Sequence, residues 1–200
     1  MPVFEYGQKE IDYLKKNDKI LGEAIDKMGI IEREVVPDPF KALIISIVGQ
    51  QISNKAAATV RNRLYQLLGT ITPENIMSTE IETIQSCGMS KRKATYIKGI
   101  AKAAIEGEVD FDNLNKLADQ EIIKELSSLY GVGVWTAEMI LIFSLERPDV
   151  VSYRDLGIRK GMMKLYGLKE VSKEQFKEIR ARYSPYGTVA SLYLWEMNVL

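Results

Sequence analysis

Apolar positions recur at spacings of three and four along nearly the whole chain, and no segment alternates convincingly with period two. No tight-turn dipeptide sits between β-branched runs. The pattern predicts an all-α protein of about ten helices. Gln8 to about Met28 reads as one weakly amphipathic helix ending before Gly29. Asp38-Pro39 is a helix start, with Asp as N-cap and Pro in the first turn. The stretch that follows, FKALIISIVGQQIS, is apolar almost all round and predicts a buried helix. Asn54 to Leu68 follows and is stopped by Gly69. Thr72-Pro73 opens a short helix, Thr79 to Glu82 reads as a capping box, and Ser90 caps a helix through about Ile105. Asp119 reads as the cap of the next helix, and Ser172 with Gln175 as a second capping box. The last helix, about Thr188 to Asn198, carries Leu192 and Trp195 at helical spacing. No internal repeat or low-complexity linker interrupts this series. Arg147 to Tyr153, which holds Pro148, is the expected hinge, and Pro37 to Pro39 is the other expected boundary.

The run from Leu126 to Gly161 departs from this uniform pattern. It places a Gly-Val-Gly turn, Gly131 to Gly133, between two helices, the second opening at Trp135. Two glycines one residue apart permit a tight turn with positive φ, and the N–H groups opening the next helix can then face an anion. Gly-x-Gly alone fits an ordinary helix–helix turn equally well. The longer string L-x-x-L-x-G-V-G-x-W-T-A is more specific. About twenty residues on, Asp155 is the only acid immediately before Leu156-Gly157-Ile158-Arg159. It suits a helix N-cap, where the helix dipole favours negative charge. Asp149, in Pro-Asp-Val, reads as structural. Gly49-Gln50-Gln51 ends the buried helix, and its amides either face a cleft or bond to backbone in a turn.

Composition narrows the chemistry. The chain has 200 residues, 46% hydrophobic and 27% charged, with no His and a single cysteine, Cys87. His-based catalysis, an internal disulfide and a four-cysteine iron–sulfur cluster are thereby excluded. No apolar run reaches membrane-spanning length and the N-terminus lacks a signal pattern, so a cytoplasmic protein is expected. Formal net charge is zero, where many DNA binders are basic. Local cationic groups are Lys91, Arg92 and Lys93; Lys55, Arg61 and Arg63; and Arg159, Lys160 and Lys164. Each is also readable as a solvated helix face.

Taken in order, DPFKALIISIVGQQIS, CGMSKRKATYIKGIA, LYGVGVWTAEMIL, PDVVSYRDLGIRKG and YSPYGTVASLYLW resemble the helix-hairpin-helix (HhH-GPD) DNA glycosylase superfamily. The likeness is to its 3-methyladenine DNA glycosylase II branch and runs from about Asp38 to Trp195. It implies two helical lobes around a DNA-binding cleft. Residues 38–147 would form a central lobe with the helix-hairpin-helix, and 1–37 plus 148–200 a second lobe carrying the catalytic Asp155. Only about 37 residues precede the core, so the N-terminal β-rich domain of larger bacterial members is expected to be missing.

The implied activity is hydrolysis of the N-glycosidic bond of alkylated purines, 3-methyladenine and 7-methylguanine, in duplex DNA. Asp155 would stabilise the developing positive charge on the sugar. Members that also cut the strand carry Lys where this chain has Trp135, so no Schiff base and no lyase step are expected. Trp135, Trp195 and Met139, the last at a position that is aromatic in some members, would hold the flipped base. An isolated Trp is otherwise a core residue. Gln51, with Gln50 beside it, would fill the gap left in the base stack. Lys91 and Arg92, and the backbone of Gly131, Val132 and Gly133, would meet DNA. The expected partner is damaged double-stranded DNA, bound by a monomer. No cofactor and no metal site are expected, apart from a monovalent cation that the hairpin backbone could hold. The chain departs from the pattern at Tyr183 and Gly187, where the family has Trp and Arg, and in Ser152-Tyr153-Arg154 before the acid. The alternatives are a glycosylase for hypoxanthine, uracil or 8-oxoguanine, a non-catalytic damage-binding module, and an unrelated helical interaction domain.

Overall fold

The computed structural model describes residues 2–199. It is all-α, and its only β pairing among the described residues is an isolated bridge between Val3 and Glu34. The helices are α1 (Gln8–Asn17), α2 (Lys19–Met28), α3 (Pro39–Gly49), α4 (Asn54–Leu68), α5 (Pro73–Ser78) and α6 (Ile81–Gln85). There follow α7 (Lys91–Ile105), α8 (Asp119–Ser127), α9 (Val134–Phe143), α10 (Leu156–Tyr166), α11 (Lys173–Ala181) and α12 (Gly187–Val199). Among the described residues no helix is long and apolar enough to cross a membrane.

Most helix starts follow local chemistry. Asp38, Ser53, Thr72, Ser90 and Ser172 each accept a backbone N–H from the first turn of the helix they precede. The single helix expected over Gln8 to Met28 is two. Asp18 adopts an extended conformation, accepts the Leu21 N–H at 2.9 Å, and starts α2. Its second carboxylate oxygen accepts from Tyr166 Oη at 2.7 Å and Arg182 Nη1 at 3.2 Å, so a 4% exposed carboxylate is fully engaged. The capping box expected at Thr79 does not form. Thr79 closes α5 instead, its hydroxyl donating to Asn75 O at 2.8 Å. Asp119 is the first helical residue of α8 rather than its cap; Ala118 holds that place, its N–H donating to Glu121 at 2.9 Å.

The chain divides into two compact units. One comprises Met1–Val35 with Leu141–Leu200, the other Val36–Ile140. The second crossing lies inside α9, not in the Arg147–Tyr153 stretch, because that apolar helix runs on unbroken to Phe143. In the Val36–Ile140 unit, α3 buries Leu43, Ile44 and Ile47. Helix α7 closes two neighbouring helices with lysines. Lys93 Nζ donates to Val48 O at 2.9 Å and to Gln50 O, at the end of α3. Lys98 Nζ donates to Met77 O and Thr79 O, each at 2.8 Å, at the end of α5. Carbonyls orphaned at helix C-termini carry partial negative charge, which an ammonium satisfies.

In the other unit, α10 and α12 pack against each other around Gly161. A Cβ there would stand 1.8 Å from Leu194 O, so only glycine permits the approach. Tyr183 and Tyr193 are fully buried in the same core. The Tyr183 and Tyr166 hydroxyls lie 2.7 Å apart, which extends the Asp18 network. Burial pushes both phenols well above the usual tyrosine range.

Candidate active site

Asp155 is the N-cap of α10 and only 7% exposed. Its Oδ1 accepts the Ile158 N–H at 2.8 Å and the indole N–H of Trp195 at 2.9 Å. Trp195 is half-buried, and its ring stacks on Phe143 with centroids 5.4 Å apart. Gly157 makes room for this contact: a Cβ there would lie 2.9 Å from Trp195 Cδ1 and 3.1 Å from Asp155 Oδ1. The carboxylate is therefore fixed by backbone on one side and by an aromatic N–H on the other.

The segment leading to Asp155 is tied to α12. Thr188 N donates to Pro148 O at 2.9 Å, and Val150 N donates to Thr188 Oγ1 at 3.0 Å. Ser191 Oγ lies 2.9 Å from Val150 O. Asp149 accepts the Gly187 N–H at 3.1 Å and the Ser184 hydroxyl, so its part is structural, as its Pro-Asp-Val setting suggested. This also accounts for Gly187, since a Cβ there would meet Asp149 Oδ1 at 2.5 Å. Tyr183 belongs to the buried Asp18 network, which a tryptophan could not complete in the same way.

In the Val36–Ile140 unit, the turn between α8 and α9 has Gly131 at φ 85°. A Cβ there would lie 2.3 Å from the Tyr96 ring, so conformation and space both demand glycine. The Gln50 amide donates to Gly131 O at 3.0 Å. The Gln50 amide nitrogen thus makes a backbone bond that props the hairpin, while the residue itself stays partly exposed. The Val132 N–H turns inward to Leu129 O at 3.1 Å and the Val132 side chain is buried. Of the expected hairpin contacts, this leaves Gly131, which is partly exposed, and Gly133, which is exposed, with the N–H groups that open α9. Within the turn, the Leu129 and Gly131 carbonyls accept one hydrogen bond each.

Gln51 is exposed and holds a positive φ of 58°, unusual for a residue other than glycine. Ile52 beside it is 40% exposed. Lys91 and Arg92 are exposed, with Lys91 Nζ 3.9 Å from Glu82, whereas Lys93 is turned inward. Burial pulls the Lys93 ammonium below the ordinary lysine range. Trp135 is 40% exposed on α9 and Met139 is buried. Trp135, Met139 and Phe143 follow one another at intervals of four, along one face of that helix.

Phe143, Gly157, Gly161 and Ile52 were not singled out from sequence. Phe143 continues the spacing begun by Trp135 and Met139, a signal that was available. Gly157 and Gly161 lie inside a helix, where glycine costs about 1 kcal/mol and so points to a packing reason. Ile52 is an apolar residue in a polar loop.

Residues 44–185 match the family described as HhH-GPD superfamily base excision DNA repair protein. DNA-3-methyladenine glycosylase 1 of Schizosaccharomyces pombe is 36% identical over 171 residues, spanning 82% of this chain and 74% of the relative. The crystal structure of a DNA-3-methyladenine glycosidase from Bacillus halodurans superposes with a TM-score of 0.88 at 35% identity, covering 99% of this chain and 93% of that one. A Schizosaccharomyces pombe 3-methyladenine DNA glycosylase in complex with abasic DNA gives a TM-score of 0.86 at 32% identity, covering 96% and 98%.

Proposed function

The chain belongs to the HhH-GPD superfamily of base excision DNA repair proteins, and on that premise we propose that it is a monofunctional DNA glycosylase releasing alkylated purines, such as 3-methyladenine and 7-methylguanine, from duplex DNA. The observation that carries this reading is Asp155: a nearly buried carboxylate, held on Oδ1 by two N–H donors, at the start of a helix. The relatives named for 3-methyladenine support the substrate class, and the abasic-DNA complex of one of them supports DNA as the partner.

A purine methylated at N3 or N7 carries positive charge and leaves as a neutral base with the electron pair of the glycosidic bond. It needs no general acid, which suits a chain without histidine. Positive charge then develops on the deoxyribose, and the fixed Asp155 carboxylate stabilises it without having to reorganise. Water adds at C1′ and its proton passes to solvent, which balances the positive charge that the methylated base brought in. Position 135 holds tryptophan rather than lysine, so no amine is supplied there for covalent attack.

We assign Trp195 to the extruded base, whose cationic form favours aromatic faces, and keep Trp135 and Met139 as base contacts that the family resemblance implies. Gly133 and the start of α9 are assigned to a backbone phosphate, with Lys91 and Arg92 as flanking phosphate contacts. Gln51 and Ile52 form the candidate wedge. Of the two, Ile52 offers the apolar surface that unstacked bases accept without unpaired polar atoms.

The test is single-turnover release of methylated bases from alkylated duplex DNA, with wild type and Asp155→Asn side by side. Wild-type release that falls about 100- to 1000-fold in the variant is expected. Undiminished release by the variant would remove Asp155 from the mechanism. Tight binding with no release from methylated, hypoxanthine, uracil or 8-oxoguanine DNA would make the protein a damage binder instead.

A further inference from the structure

We propose that Trp195 is a positioning residue for Asp155, acting through its indole N–H, in addition to any stacking on a base. The proposal rests on the glycosylase reading of Asp155. The Trp195 Nε1–H donates to Asp155 Oδ1 at 2.9 Å, on the same oxygen that accepts the Ile158 N–H at 2.8 Å. Hydrogen bonds to a charged acceptor are among the stronger ones in proteins, and two donors on one oxygen fix the plane of the carboxylate.

The surroundings are built around that contact. The ring is stacked on Phe143 at 5.4 Å, with an interplanar angle of 30°. That contact limits how far the indole can swing away from Asp155. Gly157 sits between the two partners, and a Cβ there would come within 3.3 Å of Trp195 Nε1 as well as 2.9 Å of Cδ1. Gly161 lets α10 meet the backbone of α12 at Leu194, the residue just before Trp195. The close approach of these helices thus sets the distance from the indole to the N-cap of α10. Two glycines, one aromatic stack and one hydrogen bond converge on the orientation of a single carboxylate.

A tryptophan that served only as a stacking platform would need its ring and not its N–H. Replacing Trp195 with β-(3-benzothienyl)alanine keeps the bicyclic shape and removes only the donor. Single-turnover release is expected to slow about 10- to 100-fold. Affinity for duplex containing a non-hydrolysable 2′-fluoro analogue of a 7-methylguanine nucleotide is expected to stay within about 3-fold, since the stacking surface is intact. A fluorinated tryptophan at the same position, which retains the N–H, restores release. Release at the wild-type rate without the N–H overturns the proposal and leaves the glycosylase reading in place.

A second readout is independent of activity. The chain has two tryptophans, so its NMR spectrum carries two indole N–H signals, and Trp195→Phe identifies one by deletion. Slow proton exchange of the Trp195 signal that becomes fast in Asp155→Ala supports the positioning contact even if wild type releases no base, which would defeat the glycosylase reading alone. Exchange unaffected by Asp155→Ala overturns the contact itself.

Discussion

The Val36–Ile140 unit and the unit completed by Leu141–Leu200 build their functional elements in opposite ways. In the first, the hairpin and the loop after α3 present backbone groups and exposed side chains. The supporting bonds come from behind: the Gln50 amide on Gly131 O, and Lys93 on the end of α3. In the second, the proposed chemistry is assigned to one nearly buried side chain, clamped by side chains and close helix packing. A surface that grips a repetitive backbone needs donors at a regular place and little else. A carboxylate that must meet charge at one atom needs its orientation fixed from several sides.

The largest effect follows from attacking the packed region. Gly161→Val would force a side chain against Leu194 O, and destabilisation of about 3 kcal/mol or more is expected, measured as a shift in urea midpoint at unchanged slope. A midpoint within error of wild type would mean that α10 and α12 can part freely. In the hairpin, Gly131→Ala meets a positive φ and the Tyr96 ring but lies at the surface. Its expected cost is about 1–2 kcal/mol, read as roughly tenfold weaker binding to duplex with an abasic analogue and a smaller loss of global stability. A greater loss of stability than of binding would reverse the contrast.

The same two regions differ in how much of them was legible beforehand. Helix starts at Asp38, Thr72, Ser90 and Ser172 are written in residues that bond to their own neighbours, so sequence suffices. Thr79 and Asp119 carry the same chemistry but lost the cap to competitors one or a few residues away. Asp18 reads as helix interior because its partners, Tyr166 and Arg182, lie far along the chain. Asp155 and the hairpin glycines stand out as a motif. The reasons for Gly157, Gly161 and Gly187 do not, since each is an atom of a distant residue that leaves no room for a Cβ. At Val132 the reverse holds: the turn that forms the motif uses that N–H internally, a bond that the motif alone does not announce.

Smaller effects sharpen the comparison. On the loop after α3, Ile52→Ala is expected to slow base release about tenfold, and Gln51→Ala less, because the apolar side chain holds the stack open. The reverse order would return the wedge to Gln51. In the buried network, burial raises Tyr166 and Tyr183 above the value of about 10 that tyrosine has in the unfolded chain. Above about pH 10 the unfolded chain releases protons that the folded one keeps. The stabilisation is therefore complete below that pH and is lost as pH rises beyond it. Urea midpoints at about pH 8 and about pH 10.5 are expected to differ less in a Tyr166→Phe/Tyr183→Phe protein than in wild type. An equal drop in both would place the alkaline sensitivity elsewhere.

Lys93 and Lys98 give the formal charge of zero a different meaning. Both ammonium groups are held against helix-end carbonyls, whose partial negative charge they offset. Asp18 and Asp155 are held in the same way against helix N-termini, so the charges left to meet a polyanion through solvent are those on exposed side chains such as Lys91 and Arg92. A chain of zero net charge has little long-range attraction for undamaged duplex. On the proposed reading, it remains on DNA chiefly where close-range contacts engage, and spends little time on intact sequence.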